Sequence, residues 1–488
     1  AERILRAAVS QKFVMAFAGY SVTVGRGNRF EQSFPFVVQH VLETAFELLG
    51  IALTVRNAAI GGIPSFPYAW CMRNFLGSDA DVISWDFGLN EGNGAQIFEA
   101  YLRQAMVQLP KNPKMILLDN KNSRTKMLQT YVDAGVLLDP ISLGQPSNVK
   151  GMIDSQFLSM PEEDRPEGYQ KWDEWGSPRG SPGQNSWHPK YKEHELIGWN
   201  VAMHMLPALE RAAEIMAESP NWRETYATAT ATSTTTLIPP KLPDSNNDAS
   251  IQRMLYGTEG TSTDEWEMNA ISCRTSFLPV VDTFHSLTSA AISGVANIPD
   301  DALASRDEDA YTNGWVLDVG KMERDTKRKV EKFGGLGYID MKLALYGIPS
   351  SGTIQFWLPH EPKNNDTHPQ RKDDKAINWF DALVICEVNE KRGPNECQME
   401  RDLEFIVGGS PVSSFKTPGK IKGVASYLKK EVCVHVPIPP DAKITRRNMN
   451  NDDQINHVGL TVEVSVTGQH VTRADGACSI SHIVWEQH

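Results

Sequence analysis

The sequence lacks the features typical of proteins that span a membrane or bind a nucleic acid. Within its 488 residues, no stretch approaches the roughly 20 consecutive apolar residues of a membrane-spanning helix. The N-terminal AERILRAAVSQ has neither the apolar centre nor the cleavage site of a signal peptide. The net charge of −12, from 60 acidic and 48 basic residues spread along the chain, disfavours anionic partners. We therefore expect a soluble chain with no membrane span and no nucleic-acid partner.

Spacings typical of metal and phosphate sites are also missing. No C-x-x-C pair occurs, and GRGN has neither the lysine nor the spacing of a phosphate-binding loop. We predict neither a metal nor a cofactor. Cysteine is scarce, and its six residues leave disulfides and free buried thiols both open in the second half of the chain. Only Cys71 precedes that half, which holds the other five: Cys273, Cys386, Cys397, Cys433 and Cys478.

One glycosylation pattern favours the secretory route. Asn365-Asp366-Thr367 forms an N-x-T acceptor in the polar stretch HEPKNNDTHPQRKDDK. With five cysteines in the C-terminal half, this pattern favours an extracellular protein.

The hydrophobic pattern predicts an α/β domain over residues 1–220. Its strand-like runs KFVMAFAG, IALTVRNA, ADVISWDFG and KMILLDN alternate with helical periodicity in SFPFVVQHVLETAFELLG and near 95–109 and 123–133. Strands that alternate with helices indicate a parallel sheet covered on both faces.

A different pattern follows over the rest of the chain. A Thr-rich and then Pro-rich segment begins at Ala227 and is expected to be extended, so residues 221–313 are predicted to be a linker and bridging segment. Residues 314–488 predict an all-β sandwich or jelly roll, because their strand-like runs are separated by Gly, Pro, Asn and Asp clusters. These runs are GYIDMKLALYGI, GTIQFWLP, DALVICEVNE, DLEFIVGG, KKEVCVHVPIP, GLTVEVSVTG and ACSISHIVWEQ.

Residues with chemical potential follow the first three predicted strands. Ser21 lies in AGYSVTVG, Gly61 and Gly62 in RNAAIGGIPS, and Asn90 in WDFGLNEGN. In a doubly wound sheet, ligands bind at the carboxyl ends of the strands, so these residues should meet. Together with His188 in NSWHP, they would supply a nucleophile, oxyanion donors and a base.

Over residues 11–216 these motifs resemble the SGNH (GDSL-type) hydrolase superfamily, whose sequence blocks contribute Ser, Gly, Asn and His in this order. The resemblance implies a flavodoxin-like three-layer α/β fold with Ser21 as nucleophile and His188 as base. It also implies an oxyanion hole formed by the backbone N–H groups of Ser21 and Gly62 and the side chain of Asn90.

Two positions depart from the family pattern. Tyr20 stands where the family has the aspartate of G-D-S, and Asn185 stands where it has the acid of D-x-x-H-P. An amide can orient a histidine but cannot offset the imidazolium charge, and the equivalent replacement costs a serine protease about 10⁴ in turnover. Three alternatives stay open: a backbone carbonyl orients His188, the site is slow or inactive, or another acid replaces Asn185, from among Asp164, Asp173 and Glu174.

The same residues also fit simpler structural roles. Ser21 and Asn90 could cap helices, Gly61 and Gly62 could be turn glycines, and His188 could be a surface histidine. The three tryptophans around His188 could stack on sugar rings or could only fill the interior of a long loop; they are Trp172, Trp175 and Trp187. His204, on the following helix, is expected to be a core histidine.

We therefore expect an SGNH-type serine esterase, without a cofactor, that hydrolyses an ester such as an O-acetyl group on a carbohydrate. The appended β-domain motivates the carbohydrate substrate by analogy. The alternative is a catalytically impaired protein on this scaffold, a binding or structural protein that assembles through its β-sandwich into a homo-oligomer.

Overall fold

The structure is a computed structural model. It describes residues 1–26, 28–91, 95–118, 129–133, 141–142, 161, 163, 188–189, 191–232, 271–281, 286–296, 314–317, 341–360, 374–388, 397–413, 431–448, 456–468, 471 and 477–487. No helix within these ranges is long and apolar enough to cross a membrane.

The chain divides into two compact units. The first comprises Ala1–Phe66, Phe75–Pro243 and Asp325–Asp340. The second comprises Pro67–Asn74, Asp244–Arg324 and Met341–His488. A short segment from the N-terminal part of the sequence therefore belongs to the second unit.

The first unit contains a five-stranded parallel sheet. Its strands are β1 (Lys12–Phe17), β2 (Ala52–Asn57), β3 (Val82–Trp85), β4 (Lys114–Leu117) and β5 (Ile141–Ser142). They lie in the order β2-β1-β3-β4-β5 and pair in parallel throughout. This order is that of flavodoxin-like folds, whose ligand site lies where the order reverses, between β1 and β3. The predicted parallel sheet and its first four strands are confirmed.

The helices of this unit begin with α1 (Glu2–Ser10), which the sequence pattern did not predict. The others up to residue 108 are α2 (Ser21–Val24), α3 (Phe34–Leu48), α4 (Ser65–Tyr68), α5 (Met72–Leu76), α6 (Gly88–Glu91) and α7 (Ala95–Gln108). The end of α4 and the start of α5 belong to the segment Pro67–Asn74 of the second unit. Three more follow: α8 (Tyr191–Met203), α9 (Leu206–Glu218) and α10 (Trp222–Thr232).

Apolar side chains of the helices and strands form the core of this unit. Every residue of β1 after Lys12 is buried, as in a parallel strand covered on both faces. Helix α3 buries Phe34, Val38, Leu42 and Phe46, which recur every fourth residue and so lie on one side of the helix.

The start of the Thr-rich segment is helical, which corrects the sequence prediction. We expected an extended chain from Ala227, but α10 continues to Thr232. Alternating alanines support the helix between the threonines, and Trp222 is buried at its start, so tertiary packing outweighs the modest helix propensity of threonine. The segment beyond Thr232 to residue 270 lies outside the described residues.

The second unit is built from antiparallel strands. One sheet has the order β15-β14-β18-β12-β8, with β17 paired to β18, and another has the order β16-β13-β20-β6. Smaller sheets join β19-β11-β9 and β10-β7. The strands are β6 (Ile271–Thr275), β7 (Phe277–Leu278), β8 (Ala291–Ser293), β9 (Val316–Leu317), β10 (Met341–Lys342), β11 (Leu345–Gly347), β12 (Thr353–Pro359), β13 (Phe380–Val388), β14 (Leu403–Val407), β15 (Ser410–Pro411), β16 (Glu431–His435), β17 (Ile444–Asn448), β18 (Asn456–Val466), β19 (Cys478–Ile480) and β20 (His482–Gln487).

The two larger sheets share one apolar core, which makes this unit an all-β sandwich. Phe356 on β12 and Phe405 on β14 belong to the same buried cluster as Leu383 on β13 and Trp485 on β20. This unit also contains the short helices α11 (Leu287–Ala290) and α12 (Met399–Asp402). The described part of the predicted bridge, 221–313, includes strands β6 to β8, which pair with strands of this unit.

All six cysteines form disulfides, and each bond lies within the second unit. The pairs are Cys71–Cys273, Cys386–Cys433 and Cys397–Cys478. Cys71 pairs with a cysteine 202 positions away, and nothing in the sequence pattern predicts this pairing. Disulfides of this number are typical of proteins from oxidising compartments such as the extracellular space.

Candidate active site

The loops that leave β1, β2 and β3 are hydrogen-bonded to one another at the carboxyl edge of the parallel sheet. The N–H of Ile60 donates to the carbonyl of Gly19 at 3.1 Å, and the N–H of Tyr20 donates to the carbonyl of Asp86 at 2.9 Å. These bonds hold the three loops together at the point where the strand order reverses, which is where this fold binds ligands.

Ser21 is the first residue of α2, directly after the turn that leaves β1. Tyr20 is the N-cap residue of this helix, so Ser21 is not its cap. The hydroxyl of Ser21 contacts the ring of His188, with 2.7 Å between Oγ and Nε2. The structure therefore brings together two of the predicted site residues that are 167 positions apart in sequence.

A buried aspartate supports the turn that carries Ser21. Thr23 Oγ1 donates to Asp86 Oδ2 at 2.6 Å, and both side chains are almost fully buried. Gly19 is required here, because a Cβ at this position would clash with Thr23 Oγ1. The carboxylate thus comes from the residue after β3, whereas the family pattern has it immediately before the serine.

A buried amide supports the same helix from the side of β2. Asn57 Nδ2 donates to the carbonyl of Thr23 at 2.8 Å and to Ser33 Oγ at 3.0 Å. Because Asn57 is the last residue of β2, the orientation of α2 depends on the sheet itself.

His188 lies in a buried environment that favours its neutral form. Burial, together with the positive charge of Arg26, lowers the pKa of His188 to about 4. Its imidazole is therefore neutral at physiological pH, which is the form that can accept a proton from a serine hydroxyl.

Gly62 and Asn90 lie on two connected segments. Gly62 has a φ of 75°, in the left-handed region that glycine adopts without strain. Asn90 lies in α6, where it is half-buried, and its Nδ2 donates to the carbonyl of Ile63 at 2.7 Å. The adjacent Glu91 accepts a hydrogen bond from the backbone N–H of Ser65. Two consecutive residues of α6 therefore hold the chain that follows Gly62.

Several residues named from the sequence lie outside the described residues. They are Asn185, the acids Asp164, Asp173 and Glu174, and the tryptophans Trp172, Trp175 and Trp187. Among the residues that are described, no group of three or more His, Cys, Asp or Glu side chains could hold a metal ion.

The expectation that His204 is a core histidine is wrong. His204 is exposed, and its Nδ1 contacts the carbonyl of Asn200 at 2.7 Å. The buried histidine of α8 is His194, whose Nδ1 accepts a hydrogen bond from the N–H of Phe34 at 3.2 Å. The buried side of α8 carries His194, Ile197 and Val201. The helix ends at Met203, so His204 lies beyond it and does not follow the helical period that would place it on that side.

The sequence pattern missed the residues that hold the site together. Asp86 follows a buried strand directly, so its position at the carboxyl edge could have been noticed. Asn57 ends a strand and carries the same signal. Thr23 carries none, because it acts through a hydrogen bond whose geometry only the folded chain defines. Taken together, the geometry places a serine hydroxyl beside a neutral imidazole at the carboxyl edge of the sheet.

Comparisons with known proteins add little to this geometry. No protein-family model matches the chain, and no curated protein matches it. A search of solved structures finds a two-domain esterase active on acetylated mannans, with 12% identity, a TM-score of 0.39, and coverage of 100% of this chain and 95% of that chain. The same kind of esterase co-crystallised with mannopentaose gives 13% identity, a TM-score of 0.41, and coverage of 100% and 94%. Likeness at this level does not define a function, so the residues of the chain itself must carry the functional argument.

Proposed function

We propose that the first unit is a serine esterase of the SGNH type, with Ser21 as nucleophile and His188 as general base. The observation that carries the proposal is the 2.7 Å contact between Ser21 Oγ and the Nε2 atom of a buried, neutral His188, at the carboxyl edge of the sheet. A hydroxyl becomes an effective nucleophile when an adjacent base takes its proton.

The reaction follows from these positions. His188 Nε2 accepts the Ser21 proton as Oγ bonds to the ester carbonyl carbon, and the imidazolium then gives this proton to the leaving alkoxide as the C–O bond breaks. Water attacks the acyl-serine, gives a proton to Nε2, and the acid is released as Oγ takes the proton back. The backbone N–H groups of Ser21 and Gly62 and the Asn90 amide stabilise the oxyanion in this proposal.

The substrate class is proposed to be an O-acyl ester, such as an acetyl group, on a carbohydrate. The all-β second unit supports this choice by analogy with polysaccharide-binding modules on hydrolases. The three disulfides support an extracellular setting, where such substrates occur.

A second candidate is a binding protein that retains this scaffold without turnover. The observation in its favour is the pKa of His188, which burial and Arg26 lower to about 4. Both effects oppose the imidazolium that forms when the serine proton is taken, and the sequence has Asn185 where the family has an acid.

Hydrolysis kinetics of two matched serine variants test the proposal. Ser481 offers the control, since it is buried and its Oγ contacts a histidine Nδ1, that of His482, at 2.9 Å within the β-sandwich. With p-nitrophenyl acetate and acetylated polysaccharides as substrates, we expect Ser21→Ala to lower kcat/KM by at least about 10³-fold. Ser481→Ala should retain activity within about twofold, since it lies outside the proposed machinery. Equal activities of the wild-type protein and Ser21→Ala would exclude the esterase and favour the binding protein.

A further inference from the structure

One buried amide links the turn after α2 to the chain at His188. Asn28 is 1% exposed, and its Nδ2 donates to the carbonyl of Pro189 at 2.9 Å and lies 3.4 Å from the carbonyl of Gly25. The first bond spans 161 positions of sequence. A primary amide carries two N–H donors, so it can serve both carbonyls at once.

One acceptor of this amide ends the helix that begins with the proposed nucleophile, and the other directly follows the proposed base. Gly25 is the C-cap residue of α2, the helix that begins at Ser21, and has a φ of 82°. Pro189 directly follows His188. A second bond fixes the donor itself, because the backbone N–H of Asn28 donates to the Gly25 carbonyl at 2.9 Å. Asn28 therefore connects the end of the serine-bearing helix to the residue next to the base.

The chemistry of Pro189 increases the importance of this bond. Proline has no backbone N–H, so at this residue only the carbonyl can fix the main chain by hydrogen bonding. Pro189 is buried, and a buried carbonyl that loses its donor is unfavourable. The neighbouring His188 must hold its Nε2 within hydrogen-bonding reach of Ser21 Oγ, and misplacement of a reacting group by about 1 Å can cost about 100-fold in rate.

The oxygen end of the amide takes no part in this link. Asn28 Oδ1 is buried and has no hydrogen-bond partner among the residues that the structure describes. A buried polar atom without a partner is unfavourable, and an apolar side chain of similar size would avoid that cost. The benefit of asparagine at this position lies in its two donors.

We propose that Asn28 is a positioning residue that fixes His188 relative to Ser21 by joining the Pro189 carbonyl to the end of α2. This inference rests on the proposed esterase function and adds to it a residue that does not touch the substrate. Asn28 acts through the position of His188 alone.

The test compares one substitution at two buried asparagines. Asn74 is the matched control, because its Nδ2 also donates to a backbone carbonyl, that of Cys273, at 2.9 Å, and its side chain is 3% exposed. For Asn28→Leu we expect kcat for p-nitrophenyl acetate to fall about 100-fold, with KM within about twofold, because the base is displaced and the substrate contacts are kept. Asn74→Leu should leave kcat within about twofold, and both melting temperatures should fall.

A double variant separates positioning from general damage. In a His188→Ala background there is no base to position, so adding Asn28→Leu should change the residual rate by less than about twofold. A further large loss in that background would show that Asn28 acts on something other than His188 and would overturn the proposal. Wild-type kcat in Asn28→Leu would overturn it too.

Two further outcomes are distinguishable. If His188→Ala alone keeps wild-type activity, the proposed function itself fails, whatever Asn28 does. If Asn28→Leu does not fold, Asn28→Asp and Asn28→Ser are compared in the same way. If none of the three variants folds, Asn28 is needed for the fold and not for positioning, and the proposal is overturned.

Discussion

Each unit of the protein contains a buried histidine beside a serine hydroxyl, and the two pairs differ in their sequence separation and in their place in the fold. In the first unit, His188 meets Ser21 across 167 positions of sequence, at the carboxyl edge of a parallel sheet. In the sandwich, His482 begins β20 and its Nδ1 contacts the hydroxyl of the preceding residue, Ser481, at 2.9 Å. Burial lowers the histidine pKa in both cases, to about 4 and about 3.

The difference between the pairs shows that a serine–histidine contact is not by itself a catalytic site. Ser481 Oγ also contacts the carbonyl of Cys386 at 3.1 Å, and the ring of His482 packs edge-on against Phe277 with centroids 4.4 Å apart. These contacts belong to the interior of the sandwich. Ser21, by contrast, begins a helix at the edge where three strand-ending loops meet. Folds with this strand order bind their ligands at that edge.

Removing the two imidazoles gives the largest expected contrast. We expect His188→Ala to lower kcat/KM by at least about 10³-fold, because no base remains to take the serine proton. His482→Ala should instead lower the free energy of unfolding by about 2–4 kcal/mol, as core truncations do, with kcat/KM of the folded protein within about twofold. Ester hydrolysis rates and denaturant unfolding of both variants check this. Loss of activity in both variants, or in neither, would contradict the claim that only the Ser21–His188 pair is catalytic.

The proposed oxyanion donor comes next in expected size. Asn90→Ala removes an amide that contacts the Ile63 carbonyl at 2.7 Å and that is proposed to donate to the oxyanion. Loss of one such donor costs about 10²- to 10³-fold in kcat. Steady-state kinetics should therefore show a fall in kcat with a smaller change in KM. A variant in which only KM rises would assign Asn90 to substrate binding.

The pH profile tests whether His188 is the titrating base. With its pKa lowered to about 4, kcat/KM should change by less than about twofold between pH 8 and pH 5 and should fall below that range. A histidine with the ordinary pKa of about 6.5 would lose about 30-fold by pH 5. An acid limb centred near pH 6.5 would show that a charged partner restores the basicity of His188.

Stability should follow pH in the same acid range. The folded-state pKa values of His188, His194 and His482 are all lowered, so between about pH 6.5 and the folded values the unfolded chain binds more protons than the folded one. The free energy of unfolding contributed by these groups is fully present above about pH 6.5 and is lost as the pH falls through about 4 to 3. Denaturant unfolding at pH 7 and pH 4 measures this loss, and His482→Ala should reduce it.

The smallest expected effect concerns the residue where the family has its acid. If Asn185 occupies the place of that acid, Asn185→Asp should raise kcat several-fold, because a carboxylate offsets the imidazolium charge. The same substitution should shift the acid limb of the pH profile upwards, since an adjacent negative charge raises a histidine pKa. An unchanged or lower kcat would indicate that another group orients His188.

Much of the architecture could be predicted from hydrophobic periodicity. The pattern places four strands of the parallel sheet and helix α3 where the structure has them. Each of the seven strand-like runs of the C-terminal half also contains a strand within its described residues, because buried strands have strong local signals. The short strands β7, β8 and β9 were missed, since two or three residues carry no period. Helix α10 was missed because its threonine-rich composition indicates an extended chain, whereas in the folded protein the burial of Trp222 stabilises the helix.

The site was only partly predictable, and for a physical reason. Ser21 and His188 were named because a serine after a strand and a histidine before a helix are local patterns. The bonds that hold them in place, from Asp86, Asn57 and Asn28, join residues between 34 and 161 positions apart. Amides and carboxylates in loops give no periodic signal, so only the folded chain reveals their partners.

Covalent labelling of the folded protein tests the central claim most directly. A fluorophosphonate reacts with a serine whose hydroxyl is activated by an adjacent base and whose oxyanion is stabilised. Mass spectrometry of the labelled, intact protein should show one adduct, located at Ser21, that is absent in His188→Ala and unaffected in Ser481→Ala. No adduct on the folded protein, or an adduct on a serine other than Ser21, would contradict the assignment of Ser21 and His188 as a catalytic pair.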